Sequence, residues 1–210
     1  HGTKAIPTGF DLKDWKGRIS NNTALGLIMA TVSEYVNELD ESQAGFVQLQ
    51  SETILGLRYD RYCKDNNHNW AQPEFVKDIM TIALYWNFVH PNSYISFGDL
   101  SLKEGGRMKS HSTHRTGDDV DLVIVWDGKN ITNYKSGINL VVNHDDFYAT
   151  KGKKIVQEFV NLIHSVYPKK FNEIIWYDRS IKGLYYKVYQ YTAKAMQLNY
   201  DHSDHIHLGY

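Results

Sequence analysis

Five of the ten histidines stand in two short stretches that are also dense in aspartate. The first runs Ser110-His111-Ser112-Thr113-His114-Arg115-Thr116-Gly117-Asp118-Asp119-Val120-Asp121, and the second Asp201-His202-Ser203-Asp204-His205-Ile206-His207. Imidazole nitrogens and carboxylate oxygens are the donors a divalent ion such as zinc takes, and a reactive zinc site uses three of them with a fourth position open. Six residues separate His114 from Asp121, with Gly117 among them, so the segment can loop His114 back over the start of a strand at Asp121. His205 and His207 are two apart, and the period of a strand puts both on one face. One of them can hold the ion while the other stands beside the open position. A lone His–Asp pair or a lone His-x-His is more often a surface contact. The two sets together, each at the edge of an expected strand, point to a metal.

Other chemistries lack their residues. Cys63 is the single cysteine, so neither an internal disulfide nor a thiolate-rich structural zinc set can form; a buried structural thiol is expected. His-Glu-x-x-His, Gly-x-Ser-x-Gly and a phosphate-binding glycine loop are all missing from the chain.

Two segments so far apart meet only if the elements between them fold back. Residues 1–20 show no periodicity and read as an extended arm. From the capping pair Asn22-Thr23, apolar residues from Leu25 to Leu39 recur at helical spacing. Residues 41–70 read as a loop with a short second helix. Pro73 opens another helix that must end before His90-Pro91. Tyr94-Ile-Ser-Phe97 leads into loop signals at Gly98-Asp99 and Gly105-Gly106. Asp121–Trp126 is a β-branched strand closed by Asp127-Gly128, and 129–150 looks irregular. Ile155 to Val166 marks a helix stopped at Pro168, residues 174–177 a short strand, 180–197 a helix, and 205–210 a final strand. Helices mixed with short strands, without a βαβ rhythm, predict an α+β fold.

With 42% hydrophobic and 22% charged residues, the chain can bury an ordinary core in one domain. A net charge of -1 gives no basic footprint for nucleic acid. There is no run of 18 apolar residues, so no membrane span is expected. The start at His1-Gly2, without Met, reads as a processed or recombinant product whose export signal would already be gone.

Gly98-Asp99-Leu100-Ser101, Gly105-Gly106 and the run from His111 to Asp121 resemble the penicillin-insensitive murein endopeptidases. These belong to the wider group of lysostaphin-like and D-Ala-D-Ala-cleaving zinc peptidases, whose signature is His, six residues, Asp, then a later His-x-His. Tyr177-Asp178-Arg179-Ser180-Ile181 and Asp204-His205-Ile206-His207 are similar to further segments of the narrower family. The resemblance covers about 94–210, with Thr113 where the family has Ser and 127–150 resembling a variant insertion. It implies one zinc per chain on His114, Asp121 and His207, with His205 as base and His111 and His202 as further catalytic histidines. Asp119 and Asp204 are expected to accept N–H bonds from the ligand histidines, as is Asp201. Arg107, Arg179 and the Tyr-rich 185–191 are candidates for substrate contact. The implied fold is a small antiparallel sheet flanked by helices, a core of the lysostaphin and hedgehog type over 73–210. Residues 1–72 would form a helical extension packed on it, the whole being one compact unit. The implied activity is hydrolysis of D-Ala–diaminopimelate cross-links in peptidoglycan, by a periplasmic, secreted or phage-borne protein. The alternatives are a D,D-carboxypeptidase or dipeptidase of the same group, and a retired, zinc-bearing wall-recognition module. A metal-dependent nuclease is disfavoured by the charge.

Overall fold

The computed structural model describes residues 9–63, 67–109, 113–132, 151–176, 178, 180–186, 202 and 204–210. A 3-10 turn at Leu12–Trp15 precedes helix α1 (Asn21–Asn37). Four short strands follow: β1 (Val47–Gln48), β2 (Glu52–Ile54), β3 (Leu57–Arg61) and β4 (Trp70–Ala71). Then come helix α2 (Pro73–Val89), strands β5 (Ser93–Phe97), β6 (Asp119–Trp126) and β7 (Lys129–Asn130), and helix α3 (Lys153–Val166). Strands β8 (Glu173–Ile175), β9 (Tyr185–Tyr186) and β10 (Ile206–Gly209) complete the described chain.

The main sheet has the order β2-β3-β5-β6-β10-β8-β9, with β7 folded back on β6, while β1 and β4 pair separately. The β3–β5 pair is parallel and the other neighbours are antiparallel. The sheet is therefore mixed and wider than the small antiparallel one expected. The difference comes from the N-terminal third: residues 47–71 supply strands where a loop and short helix were expected. The segment expected as a helix from 180 begins instead with a turn and β9, and 187–197 lie outside the described residues.

Strand alternation divides the sheet into two faces. Ile95, Phe97, Val120, Leu122, Ile124, Ile174, Ile206 and Leu208 are buried in the hydrophobic core. α2 packs on β3 and β5 from this side and also touches α3 and α1. α2 is buried almost all round because it lies between the sheet and α1, which turns Ala24, Ile28, Val32 and Val36 inward at four-residue spacing. Ser20, two residues before the expected pair, caps α1 by accepting from the Thr23 N–H at 3.0 Å. As expected, Pro73 starts α2 and the helix stops at Val89, before His90. Asn87, on α2, accepts from the Arg58 N–H and donates to the Ser93 carbonyl, fixing the helix to β3 and β5. The opposite parity on these strands carries Ser96, Asp119, Asp121, Val123 and His207. No helix among the described residues is long and apolar enough to cross a membrane.

Candidate metal centre

β10 lies beside β6 with His207 directly opposite Asp121. That register, set by the apolar residues of the other face, brings together two side chains 86 positions apart. His114 arrives from the loop before β6. Its φ of 44° is left-handed, a conformation that costs a non-glycine residue on the order of 1–3 kcal/mol and persists only where its surroundings enforce it. Here the loop is clamped on both sides. The Gln72 N–H donates to the Gly117 carbonyl at 2.8 Å, the Gln72 side-chain amide donates to the Thr116 carbonyl at 2.7 Å, and the Gly106 N–H donates to the Arg115 carbonyl at 3.0 Å. Gly117, at φ 71°, provides the turn between His114 and β6; a Cβ there would lie 2.9 Å from the Phe46 ring.

The three side chains converge. His114 Nε2 and His207 Nδ1 each lie 3.2 Å from Asp121 Oδ1, and all three residues are buried. In a tetrahedral zinc site with bonds of about 2.0–2.1 Å, neighbouring ligand atoms stand roughly 3.3 Å apart. The donor set and its spacing fit such an ion. The far ring nitrogens are engaged as metal-binding imidazoles require. His114 Nδ1 donates to the Leu100 carbonyl at 2.7 Å, which turns Nε2 toward Asp121. His207 Nε2 donates to Asp119 at 3.1 Å and to Glu173 at 3.2 Å, which turns Nδ1 toward Asp121.

The electrostatics favour a cation. Burial alone would raise the Asp121 carboxyl, but hydrogen bonds from His114 and His207 hold it well below the usual range. Burial would likewise lower His207, yet Asp119, Asp121 and Glu173 hold it protonated well above the usual range. Asp119 is also lowered, its burial outweighed by His207 and His114. Several acids around two buried imidazoles therefore make a negative well.

His205 stands at the open side of the cluster. Its Nε2 is 3.4 Å from Asp121 Oδ1 and its Nδ1 donates to Asp204 at 2.6 Å. The His202 ring lies 5.0 Å from that of His205 and 5.3 Å from that of His207. His111, Asp201, Arg179 and residues 187–191 lie outside the described residues. Arg107 is exposed on the loop before the cluster. Glu173 was not foreseen: a single acid on a three-residue strand carries no motif, and only the pairing of β8 with β10 places it. A second group gathers nearby, with Cys63 Sγ 3.0 Å and His68 Nδ1 3.3 Å from Asp99 Oδ1. Cys63 is half-buried rather than the core thiol expected, because it lies two residues beyond the end of β3.

The profile of penicillin-insensitive murein endopeptidases matches residues 43–208, most of the chain. The chain belongs to this family. Membership in the murein endopeptidases supports a hydrolase that acts on the peptide part of the bacterial wall. The match takes in every residue of the cluster, along with β1 to β4, but not α1. No curated protein matches the chain.

Proposed function

We propose that this family member is a zinc peptidase that cuts D-Ala–diaminopimelate cross-links of peptidoglycan, working in the periplasm or outside the cell. The observation that carries the reading is Asp121 Oδ1 lying within 3.4 Å of three imidazole nitrogens, those of His114, His207 and His205. His114, Asp121 and His207 are the residues that would hold the ion, with His205 standing next to Asp121. When bound, zinc supplies a Lewis acid that acidifies water and polarises the scissile carbonyl.

The chain's own residues supply the rest. Asp204 fixes the His205 ring through Nδ1, so that Nε2 faces the reaction. His205 Nε2 takes the proton of the attacking water and hands it to the departing amine, since imidazole gains and loses a proton near neutral pH. His202, packed against the same ring, holds it from the outer side. Asp119 and Glu173 keep His207 in one orientation. Leu100, through its carbonyl, does the same for His114.

The test is digestion of purified wall together with zinc analysis, for the native chain and for His114→Ala. The expected result is loss of dimeric muropeptides and one zinc per native chain, with both lost in the variant. Release of terminal D-Ala alone would assign a D,D-carboxypeptidase. Wall binding that survives His205→Ala, with no hydrolysis by the native chain, would assign a recognition module. Equal activity and equal zinc in both proteins would remove these three residues from the metal.

A further inference from the structure

A groove of about 550 Å³ opens beside the metal cluster, with His205, Asp204 and Tyr62 at one end and Ser96, Val123 and Val125 along its floor. Its floor is the same face of the sheet that carries Asp121, because 121, 123 and 125 alternate outward along β6 and Ser96 is paired with Val123. From Asp121 to Val125 the strand advances roughly 13 Å, which accommodates three or four residues of an extended peptide.

Tyr62 stands where that groove meets the cluster. It follows β3, and its N–H donates to the Phe97 carbonyl at 2.9 Å, which sets the side chain on the groove side. The residue is 46% exposed, yet its hydroxyl points inward over Gly98. A Cβ at Gly98 would fall 2.2 Å from that oxygen, so only glycine lets the phenol lie there. Gly98 in turn donates its N–H to the Asp121 carbonyl at 2.7 Å, which places the phenol next to the ligand strand. Burial, and after it the charges of Asp121, Asp99, Asp204 and Cys63, push the Tyr62 hydroxyl far above its ordinary range, so it keeps its proton. Among the described residues it has no hydrogen-bond partner.

We propose that Tyr62 is a catalytic residue whose O–H donates to the carbonyl oxygen of the bond being cut, while the peptide on one side of that bond lies along the groove. This rests on the peptidase reading above. Charge grows on that oxygen as water adds, so a fixed donor stabilises the addition step more than the bound substrate. The proton stays on Tyr62 throughout, and His205 alone carries the proton that moves.

The experiment compares native chain, Tyr62→Phe and Gly98→Ala on a purified muropeptide dimer, with zinc affinity by chelator competition and binding of a phosphinate analogue of the cross-link. For Tyr62→Phe, kcat should fall roughly 10²-fold, the usual effect of removing one such donor. KM and zinc affinity should stay within about twofold, and the phosphinate should bind correspondingly more weakly. Gly98→Ala, which displaces the phenol without removing it, should lower kcat in the same direction. Unchanged kcat and phosphinate binding in Tyr62→Phe, with an active native chain, would overturn the proposal alone. So would a loss appearing only in KM or accompanied by loss of zinc. A native chain that leaves the dimer intact would overturn the peptidase reading and this proposal with it.

Discussion

At the scale of single residues, the cluster depends on acids that never touch the proposed ion. His207 is buried, and its outer nitrogen donates to both Asp119 and Glu173. Two acceptors on one N–H hold the ring against rotation and make its other nitrogen a stronger donor to a cation. Glu173→Gln keeps the shape and removes the charge. Zinc affinity should fall by roughly 10- to 100-fold, read by chelator competition, with the fold intact by circular dichroism. An unchanged affinity would reduce Glu173 to a packing neighbour. His205 is the converse case. It lies 3.4 Å from Asp121 but is anchored by Asp204 and partly exposed, so His205→Ala should keep one zinc while wall cleavage drops by roughly 10²- to 10⁴-fold. Loss of zinc in that variant would make it a ligand instead of a base.

At the scale of elements, the His114 loop is held by the residue that precedes α2. Gln72 binds it twice, through its backbone N–H to Gly117 and through its side-chain amide to Thr116. Gln72→Ala removes one of these bonds, worth about 1 kcal/mol. In a chain of this size that lowers the melting temperature by roughly 2–4 °C. Because the lost bond sits on the ligand loop, zinc should also leave faster, as stopped-flow chelation would record. An unaltered release rate would mean that His114's left-handed turn is enforced from elsewhere. The same region marks what the sequence makes legible. α1, α2 and β6 announce themselves through apolar spacing, Pro73 and a β-branched run, and the candidate ligand set through histidine and aspartate density. Strands β1 to β4 are two to five residues long and gain their order from neighbours rather than from alternation. Glu173 and Tyr62 enter the site only through strand register and the bareness of Gly98, and register is a property of the folded sheet. The width of the sheet escaped for the same reason: Arg61 pairs with Phe97 across a parallel contact that no local pattern encodes.

At the scale of the whole molecule, α1 is joined to the site through α2. The family match begins at residue 43, beyond α1, yet Ala24, Ile28, Val32 and Val36 are buried against the rest of the chain. α2 carries the sheet on its other side, so the apolar surface under α1 cannot be left to water without loosening β3 and β5. Ile28 is fully buried and Leu27, one position along, is 42% exposed. Placing a carboxylate at Ile28 strands an unpaired charge in the core, and Ile28→Asp should cost several kcal/mol in urea unfolding. Leu27→Asp, with its side chain in solvent, should stay within about 0.5 kcal/mol. A chain begun at residue 43 should then be insoluble or melt far below the native protein, although it retains every residue of the candidate metal centre. If that shorter chain folded and cut the wall normally, α1 would be an accessory, and the proposed single compact unit would have to be divided.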